Sequence, residues 1–84
     1  MPKVVLSRDI AREFTAGETE LEVPGSDQTV RDLIRALDAQ YPGLGMRLRT
    51  GMAVAIDGLI FQDALLEPVA ESAEVCFMPA IEAG

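Results

Sequence analysis

The strongest constraint on this chain's fold is a stretch in which apolar side chains recur at the helical period, once only. Val30, Leu33, Ile34, Leu37 and Tyr41 share one side of a helical wheel, and Arg31, Asp32, Arg35, Asp38 and Gln40 occupy the other. Thr29 with Asp32 three residues on has the form of a capping box, with a carboxylate at the positive end of the dipole, so the helix begins there. Pro42 and Gly43 end it. One amphipathic helix cannot bury its own stripe. At 84 residues there is room for a single domain with a modest core, so the cover must come from sheet.

The flanking sequence supplies that sheet. Lys3 to Ser7 is valine-rich and apolar on successive positions, which predicts a central strand covered on both faces. Ser7 or Asp9 caps a brief helical turn through Arg12 and Phe14, before Gly17 punctuates the chain. Glu18, Glu20 and Glu22 alternate with Thr19, Leu21 and Val23, the pattern of a half-buried strand whose acidic side discourages edge-to-edge aggregation. Pro24-Gly25-Ser26-Asp27 is the turn that follows. Beyond the helix, Gly43-Leu44-Gly45 is too short and wrongly placed for a phosphate-cradling loop, and it is expected to be a plain loop leading into a solvated segment with Arg47 and Arg49.

Met52, Val54 and Ile56 alternate with Ala53 and Ala55, and Asp57-Gly58 signals a tight turn into Leu59-Ile60-Phe61, so a hairpin is predicted. Leu65, Leu66 and Val69 surround Pro68 in an apolar connection. Glu71-Ser72-Ala73 then turns into a last strand, Glu74 to Met78, with Val75 and Phe77 on one face and Cys76 and Met78 on the other. The order is strand, strand, helix, hairpin, strand. That is an α+β roll, a mixed four- to five-stranded sheet with one main helix packed on one face. Residues 1–79 form this domain. Pro79 has no N–H for a ladder, so pairing ends there and 80–84 is expected to be a flexible C-terminal tail.

Several chemistries are excluded. The net charge of −7 repels phosphate backbones and anionic membrane surfaces, which argues against nucleic-acid or membrane binding. With no histidine, the chain builds neither a Ser-His-Asp triad, nor a Cys-His pair, nor a His-rich metal site, and no metal is expected. Cys76 is the sole cysteine, so no internal disulfide forms; a packed thiol and a reducing compartment are expected. Met1-Pro2-Lys3-Val4-Val5-Leu6 lacks the apolar region of a signal peptide and no run reaches spanning length, so the expected location is the cytoplasm. The tail Ala80-Ile81-Glu82-Ala83-Gly84 offers one group of interest. A glycine carboxylate has no β-carbon beside it and can thread a tight channel, although a frayed terminus is the plain alternative on the tail alone.

Thr29-Val30-Arg31-Asp32-Leu33-Ile34, Tyr41-Pro42-Gly43-Leu44, Val54-Ala55-Ile56-Asp57-Gly58 and the run from Glu74 through Pro79 to Gly84 together resemble the MoaD/ThiS family of ubiquitin-like β-grasp sulfur carriers. The likeness covers nearly the whole chain. It implies a β-grasp fold and a carrier rather than an enzyme. In that family an E1-like adenylyltransferase of the MoeB/ThiF type adenylates the C-terminal glycine with ATP, and the product becomes a thiocarboxylate for sulfur transfer. The closest likeness is to the MoaD side of the family, which implies molybdopterin (molybdenum cofactor) biosynthesis and a molybdopterin synthase large subunit of the MoaE type as a further partner. No cofactor is bound by the carrier itself; ATP belongs to the activating enzyme. By position, Gly84 bears the sulfur, Ala80, Ile81, Glu82 and Ala83 thread the partner, and Pro79 is the hinge. Phe61 is a docking candidate, with Met78 and Phe77 behind it, although Phe77 fits the core better.

The tail departs from the family's Gly-Gly ending. Ala83 stands before Gly84, and alanine reaches glycine's left-handed conformations only at a cost of about 1 kcal/mol or more. Glu82 beside the reacting carboxylate calls for a basic residue on the partner. The alternative is therefore a β-grasp interaction module that has lost thiocarboxylate chemistry.

Overall fold

The computed structural model describes residues 1–25 and 28–79. They run β1 (Lys3–Val5), α1 (Arg8–Phe14), β2 (Glu20–Glu22), β3 (Gln28–Thr29), α2 (Val30–Gln40), α3 (Leu44–Arg49), β4 (Met52–Ile56), β5 (Leu59–Phe61), β6 (Pro68–Val69) and β7 (Glu74–Pro79). The helical stripe forms α2 and the capping box closes at its start. Thr29 Oγ1 accepts from the Asp32 N–H at 3.3 Å, and Asp32 Oδ2 accepts from the Thr29 N–H at 2.9 Å and from its hydroxyl at 3.0 Å. These bonds from Thr29, ahead of the charges of Arg35 and Arg31, hold the Asp32 carboxyl below its ordinary range. Val30, Leu33, Ile34 and Leu37 are buried.

They pack over a five-stranded sheet in the order β2-β1-β7-β4-β5. β1 and β7 run parallel and the other neighbours antiparallel. The registers Val4↔Val75, Val54↔Phe77 and Val4↔Leu21 put these side chains together on one face. There they form the core with α2, and Val4, Val75 and Phe77 are almost completely buried. The Asp57-Gly58 turn has both residues at positive φ, 49° and 85°, the geometry of a two-residue hairpin. Asp57 ties that hairpin to β7: its carboxylate accepts from the Glu74 N–H, and its own N–H donates to the Glu74 carbonyl, both at 2.9 Å.

Four local expectations are corrected. β1 is not covered on both faces: Val4 is buried, but Lys3 and Val5 are only half-buried, because the core lies against one side of the sheet. It is an interior strand, with the centre taken by β7. The brief turn after β1 is a full helix, α1, capped by Ser7 Oγ, which accepts from the Ile10 N–H at 3.4 Å, and it sends Ile10 and Ala11 into the core.

A third helix, α3, stands where a loop and a solvated segment were expected. Leu44 and Leu48, one turn apart, are buried beneath it. Its first turn has no side-chain cap of its own. Asp38 Oδ1, from the last turn of α2, accepts instead from the N–H groups of Gly43 at 3.1 Å and Gly45 at 2.9 Å. A β-carbon on Gly45 would sit 2.9 Å from Asp38 Cβ and Oδ1, so this approach requires glycine. Finally, the apolar connection around Pro68 contains β6, which pairs antiparallel with β3 and buries Val69, whereas Leu66 stays 76% exposed. Residues Ser26 and Asp27 of the expected turn lie outside the described residues.

Candidate functional site

The expected reactive group and its threading segment, Gly84 with Ala80, Ile81, Glu82 and Ala83, lie outside the described residues. What the structure shows is how the body presents their root. β7 is clamped between β1 and β4, and its last register pair sets exposed Pro79 opposite Met52. Pro79 is thus the final residue of the central strand, at the end of the sheet.

The face of the sheet turned away from the core is a continuous apolar strip. Register places Val5, Cys76, Ala55 and Ile60 side by side across four strands, with Met78 and Ala53 paired in the next row toward Pro79. Ala53 and Ala55 are only 4% and 8% exposed although neither belongs to the core cluster, so their larger neighbours shield them. Cys76 and Met78 are half-buried, and Ile60 is 61% exposed. Around the far side of the strip stand exposed Glu20, Glu22 and Glu74, with Lys3 Nζ 3.5 Å from Glu20 Oε1. An apolar centre with a polar margin is the composition of a protein-docking surface.

Cys76 is therefore a half-buried thiol of this outer face rather than a fully packed one. Burial first, and Glu74 second, push its pKa up, which keeps it protonated and a poor nucleophile. Phe61 is half-buried opposite Val54 and packs against the core, and Phe77 is a core residue at 1% exposure. Of the three larger side chains singled out for docking, Met78 alone lies on the open strip. Ile60, Ala53, Ala55 and Val5 were not singled out, although the period-2 alternation already assigned them to the side opposite Val54 and Val4. Among the described residues no helix is long and apolar enough to cross a membrane, and no group of three or more metal-ligating side chains assembles.

The ThiS family model matches residues 9–84. The chain belongs to the ThiS family. A comparison with curated protein sequences gave no match. Among solved structures, CysO of Mycobacterium tuberculosis, described as an antigen, superposes with a TM-score of 0.81 at 20% identity, over 96% of this chain and 100% of that one. A chain of the Amycolatopsis orientalis BexX/CysO complex gives 0.80 at 23% identity, over 100% of both. SAMP1 from Haloferax volcanii gives 0.70 at 26% identity, over 99% of this chain and 98% of that one. The fold is thus the ubiquitin-like β-grasp, with the mixed sheet and packed helix of its relatives. Membership of the ThiS family makes the chain a small carrier, a substrate of other proteins rather than a catalyst.

Proposed function

We propose that this ThiS-family chain carries sulfur on the carboxylate of Gly84. The observation that carries the reading is that the family match extends to residue 84 while the sheet sets Pro79 at the exposed end of its central strand. In the reaction, an E1-like adenylyltransferase of the MoeB/ThiF type brings the Gly84 carboxylate oxygen onto the α-phosphorus of ATP, forming an acyl adenylate and releasing pyrophosphate. A sulfide-level donor then attacks the acyl carbon and expels AMP, leaving a thiocarboxylate. Adenylation is needed because a bare carboxylate is a poor electrophile; the partner supplies the electrostatic stabilisation, and the chain supplies a terminus with no side chain beside the reacting carbon. The apolar strip through Cys76 and Met78 gives such a partner a surface next to the tail's root. The BexX/CysO complex, in which a relative of the same fold is held by another protein, supports a partner-bound mode of action.

Molybdopterin biosynthesis, with a large subunit of the MoaE type as acceptor, is the pathway we assign to the carrier, on its sequence resemblance to MoaD. The test is intact mass after incubation with the activating enzyme, ATP and sulfide, beside a chain lacking Gly84. An oxygen-to-sulfur mass increase in the full chain alone is expected, and its absence with every enzyme of this type overturns the reading. Addition of the large subunit and the sulfur-free pterin precursor then tests the pathway.

Ala83 favours a second reading, an interaction module without sulfur chemistry. It requires the natural chain to stay unmodified while Ala83→Gly becomes a substrate.

A further inference from the structure

We infer that the bare edge of the sheet, β5, takes up an extended segment of a partner protein as a sixth strand, and that this segment is apolar at its centre and basic at its ends. β5 is the outermost strand on its side and pairs with β4 alone among the described residues. The two-residue Asp57-Gly58 loop makes Ile56 and Leu59 the closing hydrogen-bonded pair, so by alternation Val54 and Phe61 bond across the hairpin whereas Ala55 and Ile60 do not. The N–H and C=O of Ile60 therefore turn outward to the open edge, where no turn or loop bond engages them among the described residues. Leu59 and Ile60 are 64% and 61% exposed, and Leu59–Phe61 holds no charge. The opposite edge is defended: β2 presents exposed Glu20 and Glu22, which discourage a further strand. β5 has neither a charge nor a proline to do so, and its register with β4 is unbroken.

Charge selects the occupant. Beyond Arg49 the sequence has no lysine or arginine, while residues 50–84 carry six acidic side chains, so −6 of the net −7 belongs to that stretch. Asp63, exposed two residues beyond β5, and Asp57, in the turn before it, put a negative charge near each end of the strand. Asp57 accepts from the Glu74 N–H and keeps its charge, whereas Asp63 forms no ion pair among the described residues. A second copy is the wrong partner. Paired antiparallel about Ile60, it would bring Asp57 beside Asp63 of the other molecule at both ends of the ladder, and like charges facing each other across strands are destabilising. A strand with Lys or Arg three positions to either side of its centre makes both ends attractive, and apolar residues between them cover Leu59, Ile60 and Phe61. Main-chain bonds to Ile60 hold such a segment in register. β4 stands between β5 and β7, so a strand added here leaves Pro79 and the root of the tail uncovered.

The probe is an acetylated and amidated peptide, Lys-Thr-Val-Ile-Val-Thr-Lys, titrated into the full chain and followed by proton–nitrogen correlation spectra and amide hydrogen exchange. Saturable binding is expected, weakened by salt, with the largest shifts at residues 58–62. Exchange at the Ile60 amide should slow about tenfold when the peptide stands at ten times its Kd. A peptide N-methylated at its central Ile cannot donate to the Ile60 carbonyl and should bind about tenfold more weakly, and one with Glu in place of both Lys should also lose affinity. Asp63→Asn should weaken binding about threefold and flatten its salt dependence, with an unchanged thermal melt. The absence of saturable binding, an Ile60 amide left unprotected at saturation, or an N-methylated peptide that binds as well as its parent would overturn the inference. So would shifts centred on Val5, Cys76 and Met78, which place the peptide on the outer strip, or protection of Ile60 that grows with the concentration of the chain alone, which makes a second copy the occupant.

Discussion

Asp38→Ala tests the least expected part of this fold. Among the described residues Asp38 is the one side chain that caps α3, although it comes from the last turn of α2. Removing its carboxylate frees two N–H groups and a charge at the positive end of a six-residue helix. The Gly43 N–H is solvent-exposed and recovers a water, at about 0.5 kcal/mol; the N–H of buried Gly45 recovers less, at about 1 kcal/mol. Loss of the anion at the helix start adds about 0.5 kcal/mol. The sum, about 2 kcal/mol, lies at the upper end of measured cap deletions. It should be felt globally, because so short a helix has little stability of its own and holds Leu44 and Leu48 in the core. Asp38→Asn keeps an acceptor and loses only the charge, about 0.5 kcal/mol. Urea unfolding followed by circular dichroism, with hydrogen exchange at the Gly45 amide, measures both. Should the alanine variant match the natural chain, or the asparagine variant cost as much as alanine, Asp38 does not hold α3 through these bonds.

Two further outcomes follow from the same structure. Phe77→Ala empties the centre of the core and should cost about 3–5 kcal/mol, against roughly 4–13 kcal/mol for a domain of this length; a small shift in the urea midpoint would show that the core rearranges around the gap. Asp32, whose folded pKa is lowered by Thr29, contributes stability that is present above its ordinary value of 3.8 and lost as pH falls through the folded value. The stability difference between the natural chain and Asp32→Asn should therefore close below that pH, and a constant difference down to acid would refute the capping assignment.

The elements that the sequence disclosed are those stabilised by contacts close in the chain. α2 is legible because Thr29 and Asp32 are three residues apart and its stripe repeats over three turns. The hairpin is legible because Asp57-Gly58 accepts positive φ at both positions. α3 was not, because Gly45 lowers its helix propensity and its cap comes from Asp38, a residue of another helix. β6 was hidden for a similar reason: two residues starting with proline carry no pattern, and their pairing with β3 spans some forty positions of sequence. The docking strip was half visible. Alternation assigned its side chains to one side of each strand, but it could not say which strands lie together.

From sequence alone came the α+β class, the capped helix, the lack of histidine that rules out histidine-dependent sites within the chain, and the likeness to a sulfur-carrier family, because each rests on residue types, on short-range periodicity or on the order of motifs. Tertiary structure decided what those patterns face. The parallel pairing of β1 with β7 joins the first and last strands, sets β7 at the centre of the sheet and leaves one side of it open beside Pro79. Such contacts are chosen by burial and backbone pairing over the whole molecule, so no local stretch of residues encodes them.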